Sequence, residues 1–252
     1  EVLSQHLKKR IILPQYRIAA KRLGSIVSND TNFINWTRTM WPEVISKVEY
    51  IPNYVNVHKF APKRVDNNKQ FNILYPRRLT EGRGFYIAVE AIKNFLRVYQ
   101  YATATFAGEV NTKVLEDVKE LTREFGNRIK FERVSFENMI NLYQKADIVL
   151  IPSLYSEGTS LSCLEAMACG LPIVATHVGG LTDLVIDGFN GYLVSPTSKD
   201  ILGALNKLVE DKDLRLIMGQ KSRELATAFS KERWVRSWMN LLERQISQGC
   251  QS

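Results

Sequence analysis

Two periods of hydrophobic patterning take turns along most of the chain. Phe71–Tyr75 (FNILY) is a short apolar run, and helical spacing follows from Phe85 to Val98. Thr103–Ala107 reads as a strand, Asn111–Phe125 as a charged amphipathic helix, Arg128–Val134 as an alternating strand and Glu137–Lys145 as a helix. Asp147–Ile151 (DIVLI) and Leu171–Ala175 (LPIVA) are buried-strand runs on either side of a helix over Leu161–Cys169, and Gly191–Val194 closes the series. Short β-branched runs alternating with helices of about 10–15 residues mean parallel strands with crossover helices. The expected fold is α/β, a doubly wound parallel sheet of Rossmann type, with ligands at the carboxyl ends of its strands.

The two ends differ from this middle. Lys199 to Ser247 reads as successive helices broken near Asp211 and Ser230, a helical tail. At the other end, Gly24–Asn29 and Val48–Pro52 look like strands around a helix over Asn32–Met40, too little for a domain. Pro52 to Gln70 carries two prolines, an Asn pair and several charges, the composition of a linker. The polar start, without an initiator Met, reads as part of something longer.

Composition narrows the function classes. At 45% hydrophobic and 24% charged residues the chain is globular, neither disordered nor fibrous. No apolar run approaches the ~20 residues needed to span a bilayer. Of the net charge of +8, nearly all falls in residues 1–70, so that segment could face a polyanion: nucleic acid, an anionic membrane surface or an acidic substrate. It could equally be a solvated face whose acidic partner lies elsewhere. Nucleic acid is disfavoured, because the segment has no RNP-like motif, zinc-finger spacing or clear helix-turn-helix. Cys163, Cys169 and Cys250 form no C-x-x-C pair and fit a reducing compartment, while His6, His58 and His177 make no ligand spacing, so no metal site is expected.

The densest chemical signal runs from Ser153 to Gly170 (SLYSEGTSLSCLEAMACG), following one buried strand and opening a helix. Gly158 lets backbone approach a ligand, and Thr159, Ser160 or Ser162 can cap the helix. The amides at that helix start suit a phosphate. Glu157 before them and Glu165 a turn or two within could accept hydrogen bonds from hydroxyls on either side, a pattern that describes a nucleotide sugar. Ser162-x-x-Glu165 can also be read as a capping box needing no ligand.

Glu157 and Glu165 form an E-x7-E spacing, and the run through Val194 resembles the donor half of retaining GT-B glycosyltransferases, the glycosyltransferase 4 family especially. The matching positions are Glu157, Glu165, Ala166, Met167, Ala168, Gly170, Pro172, Ala175, Gly179, Gly180, Asn190 and Gly191. Upstream, Arg78-Leu79-Thr80-Glu81-Gly82-Arg83-Gly84 resembles the family's R-L-x-x-x-K-G, with Arg83 in place of the usual Lys. Ile51-Pro52-Asn53-Tyr54-Val55-Asn56 resembles its interdomain I-P-N-G-V-D, and Phe229-Ser230-Lys231-Glu232 its C-terminal F-S-W-E helix.

The resemblance implies a division into 1–52, a remnant of an acceptor domain; 53–70, a linker; 71–228, the donor-binding domain; and 229–252, a crossover helix. It implies that Glu157 holds the transferred sugar and is the catalytic candidate, and that Arg78 and Arg83 neutralise a diphosphate leaving group. Backbone over Gly158, Thr159, Ser160, Leu161 and Ser162 would assist, Glu165 would hold the ribose, and the base would pack near Arg133–Ser135, at Val134. It also implies metal-independent transfer from a UDP- or GDP-sugar to an unidentified acceptor, in envelope or other polysaccharide synthesis, by a cytoplasmic protein with a peripheral membrane contact through residues 1–70. Without an acceptor half this chain is expected to be inactive alone. The alternative is a non-catalytic nucleotide-sugar-binding module, with nucleic-acid binding ranked last. Asp211-Lys-Asp213 is a D-x-D, but it sits between helices, with Asp213 placed to cap the next one. Gly82-x-Gly84 lacks the third glycine of a dinucleotide fingerprint, and no P-loop or G-x-S-x-G elbow is present.

Overall fold

A computed structural model of the chain describes residues 14–62, 70–110 and 112–249. Parts of the basic first quarter and of the linker, together with Asn111 and Cys250, lie outside the described residues. The chain divides into two compact units: residues up to Pro52 with those from Trp234 onward, and residues from Asn53 to Arg233.

The larger unit holds six parallel strands: β3 (Phe71–Tyr75), β4 (Ala102–Ala107), β5 (Ile129–Glu132), β6 (Ile148–Ile151), β7 (Ile173–Thr176) and β8 (Gly191–Val194). Their spatial order is β5-β4-β3-β6-β7-β8. The chain therefore builds outward from β3 in one direction, then returns to lay β6 on its other side. This reversal makes the crevice between the carboxyl ends of β3 and β6 the topological switch point, where a doubly wound sheet places ligands.

Crossover helices cover both faces. They are α2 (Phe85–Val98), α3 (Leu115–Phe125), α4 (Met139–Tyr143), α5 (Leu161–Ala168), α6 (Ser198–Glu210) and α7 (Lys212–Ala226), numbered after α1 (Thr31–Met40) of the smaller unit. Strand residues alternate between the two cores. Ile73, Tyr75, Ile148 and Leu150 pack with Phe85, Ile92 and Phe95 of α2 and Ile201 and Leu205 of α6. Leu74, Val149 and Ile151 pack on the other face with Leu164 and Met167 of α5 and Tyr143 of α4. Burial on both faces explains why these strands read as continuous apolar runs rather than alternating ones. Each fully buried Ile or Leu contributes roughly 1.5–3 kcal/mol.

Some boundaries differ from the sequence reading. The helix expected over 137–145 is only Met139–Tyr143, because the amides of Asn138 and Met139 both turn back to the Ser135 carbonyl. Strand β5 ends at Glu132, which leaves Val134 in the following loop. Asp211, not Asp213, caps α7: its carboxylate accepts from the Leu214 amide at 2.8 Å, and its backbone is extended while Asp213 is already in the first turn. Asn56 forms the turn of the I-P-N segment, its side-chain oxygen accepting from the amides of His58 at 3.1 Å and Lys59 at 2.9 Å. An amide oxygen serves there as a carboxylate would.

In the smaller unit β1 (Ile26–Ser28) pairs in parallel with β2 (Val48–Tyr50), and Ala20, Trp41 and Val44 form a small core. The last helix, α8 (Lys231–Gly249), is tied to this unit by Arg244 to Glu49 at 2.6 Å and Gln245 to Ser25 at 2.9 Å. No helix among the described residues is long and apolar enough to cross a membrane.

Candidate functional site

Two loops meet at the switch point, one after β3 and one after β6, and both are fixed from beneath. Tyr75, fully buried at the end of β3, donates its hydroxyl toward the carbonyls of Arg83 at 2.9 Å and Arg78 at 3.3 Å, pinning the first loop. The Leu154 amide donates to the Gly82 carbonyl at 3.1 Å, joining the loops. Gly84 ends the first loop at φ +74°, and a Cβ there would lie 1.8 Å from the Pro152 carbonyl oxygen, so only glycine fits. Gly179, after β7, is under the same constraint: its φ is +53°, and a Cβ would lie 2.0 Å from the Glu157 carbonyl oxygen. The Gly180 amide then donates to that carbonyl at 2.7 Å. The glycine pair thus clamps the backbone of Glu157.

The Glu157 carboxylate sits in a knot of donors. Arg77 Nη2 donates to its Oε2 at 2.6 Å, Ser153 Oγ donates to the same oxygen at 2.9 Å, and Arg83 Nη1 also donates to it. The other arm of Arg77 reaches Ser160 Oγ at 3.1 Å. Two guanidinium groups around one carboxylate leave one unit of positive charge in excess at this end of the sheet. Of the adjacent arginines, Arg77 is the buried one, while Arg78 is exposed.

Ser160 is the N-cap of α5, but its hydroxyl is engaged with Arg77 and makes no capping bond. The first intrahelical bond runs from the Leu164 amide to the Ser160 carbonyl at 3.0 Å, so the amides of Leu161, Ser162 and Cys163 precede it at the positive end of the helix dipole. The capping-box reading of Ser162 and Glu165 does not hold. The helix starts before Ser162, and the Glu165 carboxylate turns away to accept from the Tyr143 hydroxyl at 2.8 Å. Desolvation by burial pushes the Glu165 carboxyl up to about 7, against the hydrogen bond from Tyr143 and the charge of Lys59, which both lower it. Thr159 is buried and fixed from the linker side: its hydroxyl accepts from the Asn53 amide at 3.1 Å, and its carbonyl accepts from the Asn53 side chain at 2.8 Å. Gly158 is half-buried between Glu157 and this anchor, Leu161 is exposed, and Ser162 is half-buried, 3.3 Å from Ser160 Oγ to Oγ. Val134 is half-buried in the loop after β5.

Arg77, Ser153, Tyr143 and Asn53 were not singled out as site residues from the sequence. Arg77 adjoins Arg78, and spacing alone does not decide which of two neighbouring arginines turns inward. Ser153 leaves a signal only in following a buried strand directly. Tyr143 reads as a core aromatic, and the one hint is that a buried phenol needs a hydrogen-bond partner. Cys163 and Cys169 are buried, and burial pushes the thiol of Cys169 up to about 12 and that of Cys163 higher still, so both are packing residues rather than nucleophiles. Among the described residues no three His, Cys, Asp or Glu side chains gather as a metal site.

A sheet end with an excess of positive charge, open helix amides and a second, buried carboxylate can hold an anion between two hydroxyl-bearing groups. Known proteins carry the same arrangement of chain. A family model described as "Glycosyl transferases group 1" matches residues 57–225. The chain is 29% identical over 218 residues to the lipopolysaccharide 1,2-N-acetylglucosaminetransferase of Salmonella typhimurium, an alignment covering 78% of this chain and 55% of that protein. The chain thus spans about half the length of that relative. A glycosyltransferase structure from Rickettsia africae matches at a TM-score of 0.80 and 19% identity, covering 91% of this chain and 66% of that one. Anabaena HepE, solved in complex with UDP-glucose, matches at 0.76 and 21% identity, covering 97% of this chain and 70% of that one. The two structural likenesses establish a GT-B-type α/β fold. With the family model spanning most of the larger unit, the chain belongs to the group 1 glycosyl transferases.

Proposed function

We propose that this chain is the donor-binding part of a retaining glycosyltransferase that takes a sugar from a nucleoside diphosphate. The observation that carries the reading is the convergence of Arg77, Arg83, Glu157 and the α5 amides at the β3/β6 switch point, with Glu165 one turn further along the same helix. In this reading the Glu165 carboxylate accepts from the ribose hydroxyls, and the α5 amides and Arg83 hold the diphosphate. Glu157, oriented by Arg77, accepts from hydroxyls of the transferred sugar. The bond from the anomeric carbon to the β-phosphate oxygen breaks, the departing diphosphate gains negative charge, and the cations and amides stabilise that charge where it develops. The acceptor hydroxyl oxygen forms the new bond on the same face of the sugar, and its proton passes to the departing diphosphate oxygen. In this reading the base packs near Val134, and Arg78, exposed on the first loop, adds its charge beside the diphosphate.

The domain division follows from this assignment: 1–52 as the end of an acceptor domain, 53–70 as linker, 71–228 as the donor domain and 229–252 as the returning helix. Because the chain spans about half the length of its Salmonella relative, transfer by these residues alone is not expected. UDP is favoured over GDP because HepE was solved with UDP-glucose. A role in envelope polysaccharide synthesis is favoured by the Salmonella relative, whose name gives lipopolysaccharide as its substrate, and a cytoplasmic location belongs to the same reading. A peripheral membrane contact through basic residues 1–70 belongs to the same reading. Vesicles with anionic lipid should retain the chain at low salt and release it at high salt, and binding indifferent to salt would contradict that contact.

Thermal unfolding with UDP, GDP and ADP tests the donor reading. A nucleotide at about 100 times its Kd stabilises the fold by about 2.7 kcal/mol. A rise in midpoint with one diphosphate nucleotide supports the reading, and unchanged midpoints with all three oppose it.

A further inference from the structure

We infer that Tyr143 is a positioning residue for nucleotide binding, its hydroxyl holding one oxygen of Glu165 so that the other is presented to the ligand. The inference rests on the donor reading above, in which Glu165 receives the ribose. Tyr143 closes α4, a helix of five residues, and is completely buried. Its ring packs edge-on against Phe60, with centroids 6.0 Å apart, which fixes the direction of the hydroxyl. That hydroxyl lies 2.8 Å from Glu165 Oε2 and 3.3 Å from the Ser162 carbonyl. A carboxylate 8% exposed on a helix face has few other ways to be oriented.

The bond also sets the carboxylate's charge. Burial favours the neutral acid at Glu165, and the Tyr143 hydrogen bond opposes it, as does Lys59 from the linker turn. Cys169, one turn along the same helix, and Cys163, facing Tyr143, are thiols that burial keeps protonated, and Arg223 of α7 acts on Cys169 rather than on Glu165. Tyr143 itself is held protonated by burial and by the neighbouring carboxylate, so it stays a donor. Removing its hydroxyl therefore shifts Glu165 toward the neutral acid, a poorer acceptor for a vicinal diol.

The test is calorimetric titration of the 252-residue chain with UDP and GDP from about pH 6 to about pH 8.5, using wild type, Tyr143→Phe, Glu165→Ala, Glu165→Gln and the Tyr143→Phe/Glu165→Gln double variant. Wild-type affinity should fall as pH drops through about 7, where Glu165 protonates. Tyr143→Phe should move that fall upward by about one pH unit, weakening binding roughly fivefold at about pH 7, approaching roughly tenfold toward about pH 6, and converging on wild type at the alkaline end. In the Glu165→Gln background the same substitution should change affinity little. A purely structural role for Tyr143 would lower the unfolding midpoint without moving the pH profile, and unfolding without nucleotide is measured alongside. If Tyr143→Phe binds as wild type at every pH while Glu165→Ala binds weakly, the positioning role is wrong and the donor reading survives. If no nucleotide binds, or Glu165→Ala binds as wild type, the donor reading fails and this inference with it.

Discussion

Replacing Arg77 by Met keeps the length of the side chain and removes its charge and its fork of donors. The side chains of Arg77 and Glu157 are only 6% and 9% exposed, so the pair is buried. Removing one partner of a buried ion pair costs about 3–5 kcal/mol, most of it from leaving the other charge uncompensated. Here Glu157 would keep its bonds to Arg83 and Ser153, which reduces the expected loss to about 2–3 kcal/mol. For a chain of this size each kcal/mol moves the unfolding midpoint by about 2–4 °C, so Arg77→Met should unfold roughly 4–12 °C below wild type in calorimetry. Arg77→Lys should fall between the two, since an ammonium keeps the charge but cannot reach Glu157 and Ser160 together. Arg78→Met, at an exposed position, should stay within about 0.5 kcal/mol of wild type. Equal midpoints for Arg77→Met and Arg78→Met, or a larger loss at Arg78, would refute the assignment of Arg77 as the buried partner.

Three further outcomes follow from the geometry. Gly84→Ala should cost at least about 3 kcal/mol in urea unfolding, because its Cβ would meet the Pro152 carbonyl; Gly126→Ala, at φ +57° and ψ −130° with nothing within 4 Å, should cost only the backbone strain, about 1–3 kcal/mol. Asp211→Ala should lose the α7 cap and about 1 kcal/mol, Asp213→Ala only a few tenths, and neither should alter nucleotide affinity if this D-x-D is a capping feature. Hydrogen bonding from Arg17, with help from Lys21, holds the Glu43 carboxyl down at about 2. A carboxylate with a depressed value stabilises the fold above its ordinary titration range and loses that contribution as pH falls toward about 2. NMR titration of Glu43 should show that low midpoint and a rise toward the ordinary carboxylate range in Arg17→Gln, short of full return because a backbone hydrogen bond and Lys21 still lower it; an ordinary midpoint in the parent protein would contradict the ion pair.

The alternation of strand and helix was legible because a parallel sheet covered on both faces demands short apolar runs, and DIVLI and LPIVA supply them. The glycines at 84 and 179 were legible as parts of a motif, though their reason, carbonyl oxygens about 2 Å from where a Cβ would sit, appears only in three dimensions. What local pattern could not settle was the choice between adjacent or near-adjacent residues of one kind. Arg77 and Arg78 differ only in which way the chain leaves Pro76, and Asp211 and Asp213 only in which one keeps extended backbone. Contacts between residues far apart in sequence were equally hidden: Asn53 to Thr159, and Arg223 to the carbonyls of Val57, Phe60 and Ala168. The capping-box reading failed for the same reason, since the partner that drew Glu165 away lies on another helix.

The central claim, that this sheet end is a nucleotide-sugar site, is tested most directly by calorimetric titration of the chain at neutral pH with UDP, GDP and ADP, set against Glu165→Ala. The account expects one nucleotide, UDP in the favoured case, to bind, and the substitution to weaken it by about 1–3 kcal/mol, the value of a charge-assisted hydrogen bond. Absence of binding by all three, or equal affinity with and without the Glu165 carboxylate, would contradict it.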